Sequence, residues 1–252
     1  MDILHSKKTI FRLGLVVIVP IAVLLLVPVY GQSGQPRFDL PVAFLVSLTL
    51  ILLIHQAVEK RRRLLQTINL ELNKLRRVYH LSRNLSETDT QRYRGWFTEL
   101  HGNLYRYLSA FSERDFGYYE ETNSEFRELS YHVYKVPELR SSKEEALYDD
   151  LLRTVAKVAE SRQQIKESKD ARMSIYVWMV VLLLVVGLGI SAWLSTIDVW
   201  TSRLAAGVTL AGFLVMIDLL YEVDTLASEY RPIAQRYVDN IGRIELRRRE
   251  DE

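Results

Sequence analysis

The chain has 252 residues, with 33 basic and 31 acidic side chains, no cysteine and 48% hydrophobic residues. The formal net charge of +2 excludes a protein that binds polyanions through bulk charge, and the lack of cysteine excludes disulfides, cysteine-based metal centres and a thiol nucleophile. The mean hydropathy is −0.01 although 25% of the residues are charged, which indicates that the apolar residues are gathered into separate segments.

Four segments are apolar enough to predict membrane spans. Three are the uncharged runs Leu13–Tyr30, Leu40–Val58 and Met173–Ile197, and the fourth, Leu204–Ile217, reaches spanning length when it continues to about Tyr221. A helix needs about 20 apolar residues to cross about 30 Å of hydrocarbon. By its position the first run is also a candidate signal peptide, but it is long for one and lacks a small-residue cleavage site, so we expect an uncleaved anchor.

Basic residues flank these spans on one side. Lys7, Lys8 and Arg12 precede the first span, Lys60, Arg61, Arg62 and Arg63 follow the second, and Lys166, Lys169 and Arg172 precede the third. The short connections Gly31–Asp39 and Asp198–Ser202 have only Arg37 and Arg203 within or beside them. Because Lys and Arg favour the cytoplasmic side, we predict a multi-pass protein of the cell inner (plasma) membrane with both termini and the central segment in the cytoplasm.

The central segment repeats apolar residues at spacings of three and four, which predicts amphipathic helices. Four such stretches run from Leu65 to Tyr79, Tyr93 to Phe111, Tyr119 to Val136 and Tyr148 to Ile165, the last interrupted by Arg162. No stretch alternates with a period of two. The predicted fold is all-α, a polytopic membrane protein with four transmembrane helices and a cytoplasmic helical bundle between spans two and three.

These segments predict four parts of the chain. They are an N-terminal transmembrane hairpin at 1–58, with spans at about 10–30 and 40–58, a cytoplasmic helical domain at 59–172, a C-terminal transmembrane hairpin at 173–221 and a cytoplasmic helical tail at 222–252, which Pro232 kinks or restarts. No helix breaker follows span two or precedes span three. We therefore expect two continuous helices of about 40 to 60 residues that run from the spans into the central domain.

Several residues are placed to begin or end the central helices. Ser86 or Asp89 is expected to cap the second helix, Asp115 the third, and Ser141 or Ser142 the fourth, whose first turn contains Glu144 and Glu145. Pro137 is expected to end the third helix.

Polar residues near the cytoplasmic ends of the spans are the candidates for an ion pathway. Asp218 lies near the end of span four, one turn before Glu222, and His55 and Gln56 lie at the matching depth of span two. An ionisable group in hydrocarbon is costly and usually faces a cavity or the bundle interior. The alternative is an interfacial role, with Asp218 paired to an arginine of positions 61–63, and this alternative is favoured.

Small residues and basic residues indicate packing and lipid contacts. Gly187 with Ser191 and Gly207 with Ala211 fit the small-x-x-x-small pattern of close helix packing, within one chain or between subunits. Lys60, Arg61, Arg62 and Arg63 are expected to fix the topology and contact anionic lipid headgroups.

No motif of a catalytic, cofactor or metal site is present in the sequence. His80, His101 and His132 lie on separate predicted helices without metal-ligand spacing, and the aromatic residues of 93–134 follow a helical core pattern and not a nucleic-acid stacking platform. We therefore expect no enzyme, no metal, no cofactor and no nucleic-acid partner. The expected partners are the lipid bilayer, small ions and further copies of the chain.

Part of the central segment resembles a known family. Four segments are similar to the bestrophin-like membrane proteins of unassigned function: Val136–Glu138, the run Glu144–Leu152 (EEALYDDLL), Glu160–Arg162 and the start of span three with Trp178. The layout of two spans, a helical block and two more spans is also similar to that family. The family usually has an Asp-rich turn with Pro and Gly after span four. Here the chain continues without them, so only Asp218 corresponds.

The resemblance implies a channel only through relatives, because bestrophins themselves are pentameric anion channels with hydrophobic constrictions. One hypothesis is a homo-oligomeric ion channel in which spans one and two supply hydrophobic gates. The other is a non-conducting scaffold or signalling protein whose cytoplasmic helices bind a partner.

Overall fold

The computed structural model describes residues 2–31, 39–113, 115–226 and 229–250, with the backbone alone for residues 2–10, 39, 113 and 245–250. These residues form the helices α1 (Asp2–Leu26), α2 (Asp39–Thr88), α3 (Thr90–Glu113), a 3-10 helix (Phe116–Thr122), α4 (Asn123–Val133), α5 (Ser142–Asp170), α6 (Ile175–Ser195), α7 (Trp200–Thr225) and α8 (Tyr230–Glu250). The described residues contain no strand, only an isolated bridge between Gly31 and Ile197. The predicted all-α class is confirmed.

Within the described part of the chain, the three helices α2, α6 and α7 contain stretches that are long and apolar enough to cross a membrane. The apolar stretch of α1, Phe11–Leu26, is shorter than the stretches of the other three helices. A membrane crossing by α1, which would make four spans in total, stays a prediction. Most of the expected loop Gly31–Asp39 lies outside the described residues.

The chain divides into two compact units. The first, here called the apolar unit, comprises residues 1–61 and 172–225, and the second, the polar unit, comprises 62–171 and 226–252. In the apolar unit α2, α6 and α7 share a core that includes Val46, Leu50, Val181, Leu188 and Leu220. Helix α1 packs along α7, and the contacts between them, described below, show that the two helices are antiparallel.

The polar unit packs the later part of α2 with α3, α4, α5 and α8 around one apolar core. Its buried residues follow the four predicted stripes and add one from the tail, as shown by Ile68, Tyr93, Leu129, Val158 and Tyr237. The predicted amphipathic periodicity therefore marks the faces that are buried.

One of the two expected continuous helices is present. Helix α2 runs for 50 residues without a break. The expected continuity between the fourth central helix and span three is wrong, because residues 171–174 are not helical. Ser174 instead begins α6 by accepting a hydrogen bond from the N–H of Val177 at 3.4 Å, and the N–H of Met173 donates to the carboxylate of Asp224 at 3.2 Å.

The structure selects among the capping candidates. Asp89 accepts from the N–H of Arg92 at 3.1 Å, Asp115 accepts from Phe116 at 3.0 Å, and Ser141 accepts from Glu144 at 3.3 Å. Ser86 lies inside α2 and bonds to the carbonyl of Arg83. The third predicted helix begins as a 3-10 helix, since Asp115 caps Phe116–Thr122, and α4 ends at Val133, ahead of Pro137.

Leu226 connects α7 to the segment that leads into α8. Its φ is +54°, in the left-handed region that residues other than glycine seldom adopt. Leu226 is 4% exposed, and its side chain lies in the core of the polar unit. Helix α8 then starts at Tyr230, with Pro232 in its first turn, where a missing N–H costs no helical hydrogen bond.

Candidate functional site

Three charged side chains meet at one end of the apolar unit. Arg12 of α1 donates to Asp218 at 3.1 Å and to Glu222 at 3.0 Å, both on α7. Asp218 and Glu222 are one helical turn apart, so one guanidinium reaches both carboxylates. The predicted pair Asp218 and Glu222 is therefore brought together, and Arg12, which was considered only for topology, binds both.

A second ionic contact at this end was missed from the sequence. Asp224 is buried and lies 3.6 Å from the Nζ of Lys60, and it also accepts from the N–H of Met173. Asp224 is in the last turn of α7, where the helix dipole disfavours an anion. A carboxylate in the last turn of a helix needs a positively charged or hydrogen-bonding partner. The position of Asp224 at the end of an apolar helix was therefore a signal in the sequence for such a contact.

The other predicted pathway residues, His55 and Gln56, lie on α2, whereas the Arg12 contacts join α1 to α7. His55 and Gln56 are exposed on α2, two residues and one residue before the buried Ala57. Arg62 and Arg63 are also exposed, and Arg61 is half-exposed. The structure thus brings Asp218 and Glu222 together, and a pathway shared with His55 and Gln56 stays a prediction.

The opposite end of the apolar unit is closed by polar contacts to the end of α1. The indole N–H of Trp193 donates to the carbonyl of Pro28 at 2.9 Å, and Arg203 donates to the carbonyl of Leu25 at 2.9 Å. Gly31 donates to the carbonyl of Thr196 at 3.1 Å, and a Cβ at Gly31 would lie 2.5 Å from that oxygen, so only glycine fits. The bond to Leu25 satisfies a carbonyl that the last turn of α1 leaves without a helical partner.

Aromatic side chains mark both ends of the apolar unit. Tyr30 packs edge-on against Trp193 with centroids 5.4 Å apart, and Trp178 packs edge-on against Tyr221 at 6.0 Å. Amphipathic aromatic rings concentrate at the headgroup level on both sides of a bilayer.

The predicted small-residue motifs differ in what they contact. A Cβ on Gly207 would lie 3.0 Å from the Cα of Ile21, so α7 and α1 approach closely there, and Ala211 is buried one turn later. A Cβ on Gly187 would have no atom within 4 Å, and Ser191 carries a buried hydroxyl without a hydrogen-bond partner among the described residues. The α6 motif is thus not used between described helices.

A buried polar group in the polar unit surrounds Glu71 and is here called the Glu71 cluster. It comprises Glu71 of α2, Tyr107 of α3, Tyr119 of the 3-10 helix, Arg162 of α5 and Tyr237 of α8. Glu71 is 0% exposed and accepts from the hydroxyls of Tyr107 at 2.5 Å, Tyr119 at 2.9 Å and Tyr237 at 2.6 Å. Five elements therefore meet at one carboxylate.

Arg162 supplies the opposite charge of the Glu71 cluster. Its guanidinium lies 3.6 Å from Glu71, donates to Tyr107, and donates to Asn123 at 2.7 Å and Thr122 at 3.2 Å. Burial, and secondarily the charge of Glu71, raise the pKa of all three tyrosines of the cluster well above its ordinary value. The phenols consequently stay protonated and can all donate to Glu71.

The comparisons with known proteins identify the family. A family model for the bestrophin-like domain matches residues 40–225, from the start of α2 to the end of α7. The chain belongs to the bestrophin-like family. A solved structure described as "Crystal structure of a membrane protein L259A" is similar to the bestrophin-like chain with a TM-score of 0.67 and 12% sequence identity, over 93% of this chain and 97% of that one. No curated protein matches in sequence.

The fold similarity and the family together show that this bestrophin-like chain is a membrane protein, so its apolar helices contact lipid. The resemblance drawn from Val136–Glu138, Glu144–Leu152 and the start of span three is confirmed. No group of three or more metal-ligating side chains occurs among the residues described.

One residue of the segment that suggested the bestrophin-like family has a defined environment. Glu144 is almost fully buried and accepts from the N–H of Arg140 at 2.7 Å, the hydroxyl of Tyr93 at 3.0 Å and the guanidinium of Arg92 at 2.5 Å. The N–H of Arg140 first, and then Tyr93 and Arg92, lower the pKa of Glu144 against the opposing effect of desolvation. This carboxylate joins the start of α5 to α3.

Proposed function

We propose that the protein is a homo-oligomeric ion channel of bestrophin-like type that conducts small ions, anions by analogy with the bestrophins. In this proposal it is an inner-membrane protein with four spans, α1 included, and has no enzymatic activity. The basic residues beside the spans support cytoplasmic termini and a cytoplasmic polar unit. The aromatic pairs at both ends of the apolar unit support a membrane-spanning orientation.

The observation that carries the proposal is the uncovered face of α2. Phe44, Leu48 and Leu52 recur every four residues and are 71%, 49% and 55% exposed, whereas Val46 and Leu50 between them are buried against α6 and α7. In a ring of subunits these faces would meet around an axis. Three apolar layers would then form a constriction, with the polar His55 and Gln56 beyond it.

The Arg12 contacts support a structural role for Asp218 and Glu222 in this channel. Both carboxylates are engaged by a neighbouring helix and both are at most one-third exposed in their side chains. We therefore place them at the α1–α7 contact near the inner headgroups, and we assign the pathway to the face of α2.

An ion-flux assay on purified protein in liposomes tests the proposal. Wild-type protein should release trapped chloride above the background of empty liposomes, and Leu52→Ser should raise that flux because a hydroxyl lowers the barrier for hydrated ions. Leu183→Ser is the matched control, since Leu183 of α6 is equally apolar and 72% exposed but lies on another helix. It should leave the flux unchanged.

The reasoning fails if wild type and Leu52→Ser both remain at background across voltage and pH, or if Leu183→Ser raises the flux as much as Leu52→Ser. Particle images in detergent give an independent check. A ring with an axial opening fits the channel, whereas a monomer or dimer without one favours the scaffold or signalling protein, whose helical unit binds a partner.

A further inference from the structure

A polar groove lies between α2 and α8 in the polar unit. Its volume is about 390 Å³, with Leu72 in its lining. The polar lining residues are Asn69, Asn73 and Arg76 of α2 and Arg236, Asp239 and Arg243 of α8. Spacings of four, three and seven residues place each set on one face of its helix.

The charges of the groove are unbalanced. Three arginines face one carboxylate, a local excess of two positive charges. Arg236 and Arg243 are exposed, and neither has an ion-pair partner within the described part of the chain. Asp239 accepts from the side chain of Gln235 at 2.9 Å. Two guanidiniums therefore present their donors to the groove without a protein acceptor.

The two walls of the groove are held in place by buried contacts. Tyr237, next to Arg236 in sequence, donates to Glu71 at 2.6 Å and stacks on Phe111 with centroids 4.0 Å apart. Asn240 is 1% exposed, accepts from the Nε of Arg76 and contacts the carbonyl of Leu72 at 3.5 Å. The backbone positions that carry Arg236 and Arg243 are thus held before any ligand arrives, which reduces the ordering cost of binding.

We propose that this groove binds a compact anion that carries phosphate groups. The planar guanidinium matches two phosphate oxygens at once, so Arg236 and Arg243 are suited to two phosphates or to two edges of one. The amides of Asn69 and Asn73 on the opposite wall add neutral donors. The volume lies within the range of small-molecule sites, about 300 to 1,000 Å³. The inference is independent of ion conduction.

Calorimetric titration of the full chain with inorganic pyrophosphate, in nanodiscs of phosphatidylcholine, tests the proposal. Wild type should bind saturably, and Arg236→Gln/Arg243→Gln should bind at least about tenfold more weakly. The matched control is Arg153→Gln/Arg231→Gln, which removes the same charge from exposed positions outside the groove. This control should stay within about twofold of wild type, since neither side chain lines the groove.

Absence of saturable binding to wild type overturns the proposal, as does equal weakening in both double variants. All four positions are exposed, and equal urea unfolding midpoints will verify that the variants remain folded. Nanodiscs containing a phosphatidylinositol phosphate, or phosphatidylserine at equal surface charge, separate the sources of the ligand. Selective competition by the phosphoinositide assigns the groove to a lipid headgroup, and equal pyrophosphate affinity in all three nanodiscs assigns it to a soluble phosphate compound.

Discussion

Arg162→Met is expected to destabilise the polar unit strongly, because it leaves the buried carboxylate of Glu71 without its positive partner. The charged atoms of this pair lie 3.6 Å apart, and Glu71 is 0% exposed. Breaking a buried ion pair from one side costs about 3 to 5 kcal/mol. The three phenol donors remain on Glu71 and partly compensate, so the lower end, about 3 kcal/mol, is expected.

The unfolding of the polar unit can be followed by Trp96. Its indole is buried and donates to the carbonyl of His132 at 3.1 Å, whereas Trp178, Trp193 and Trp200 all lie in the apolar unit. With those three replaced by Phe in every protein compared, the fluorescence of Trp96 reports the polar unit alone. A loss of about 3 kcal/mol lowers the urea midpoint by about 1 to 3 M.

Two further variants distinguish the charge effect from general damage. Glu128→Gln breaks the exposed pair with Arg106, in which both side chains are more than half exposed, and should cost less than about 1 kcal/mol. Glu71→Gln combined with Arg162→Met should be less destabilising than the sum of the two single changes, since the second change removes the charge that the first left unpaired. The reasoning is refuted if Arg162→Met shifts the midpoint no more than Glu128→Gln does.

Three other perturbations have expected outcomes. The pKa of Glu144 is lower in the folded protein than its ordinary 4.5, so the unfolded chain takes up this proton first as the pH falls. The urea midpoint should therefore fall as the pH drops below 4.5. The Glu144→Gln variant should show a shallower dependence of the midpoint on pH. The tyrosines of the Glu71 cluster have pKa values raised above 10.0, so the unfolded chain loses these protons first as the pH rises. Stability should therefore fall as the pH rises above 10.0. The tyrosinate absorbance of these residues should appear together with unfolding and not before it. Gly207→Leu should lower the thermal midpoint in detergent, because a Cβ added at Gly207 would lie 3.0 Å from the backbone of α1. Gly212→Leu should leave the midpoint unchanged, because an added Cβ there would have no atom within 4 Å. Equal midpoints for the two variants would contradict the close approach of α7 to α1.

The helices and their buried faces could be predicted from the sequence because the signal is local. A stripe such as Leu65, Ile68, Leu72 and Leu75 has its period in the sequence itself, and burial in the polar unit follows it. The break before α6 was not predicted, although Ser174, which caps α6, is a local signal for it; the second contact there, from the N–H of Met173 to Asp224, involves a residue distant in sequence. Such a competitor for a backbone donor leaves no trace in the local pattern.

The Glu71 cluster was missed for a similar reason. Arg162 was noted as an interruption of an apolar stripe and as part of the family-like segment Glu160–Arg162, but not as a buried charge, and Glu71 interrupts the first stripe at a position between Ile68 and Leu75. Two opposite charges on two buried faces are a usable signal, because each is costly to bury alone. The tyrosines gave no comparable signal, because their rings fit an apolar stripe and the hydroxyl partner is a tertiary contact.

The link between α7 and α8 shows two opposing demands on one residue. The left-handed backbone of Leu226 would favour glycine by about 1 to 2 kcal/mol, while burial of its side chain contributes about 1.5 to 3 kcal/mol. Laboratory evolution for heat tolerance should therefore leave this leucine unchanged, although a glycine would relieve the backbone. At position 226 the buried side chain therefore outweighs the backbone preference for glycine.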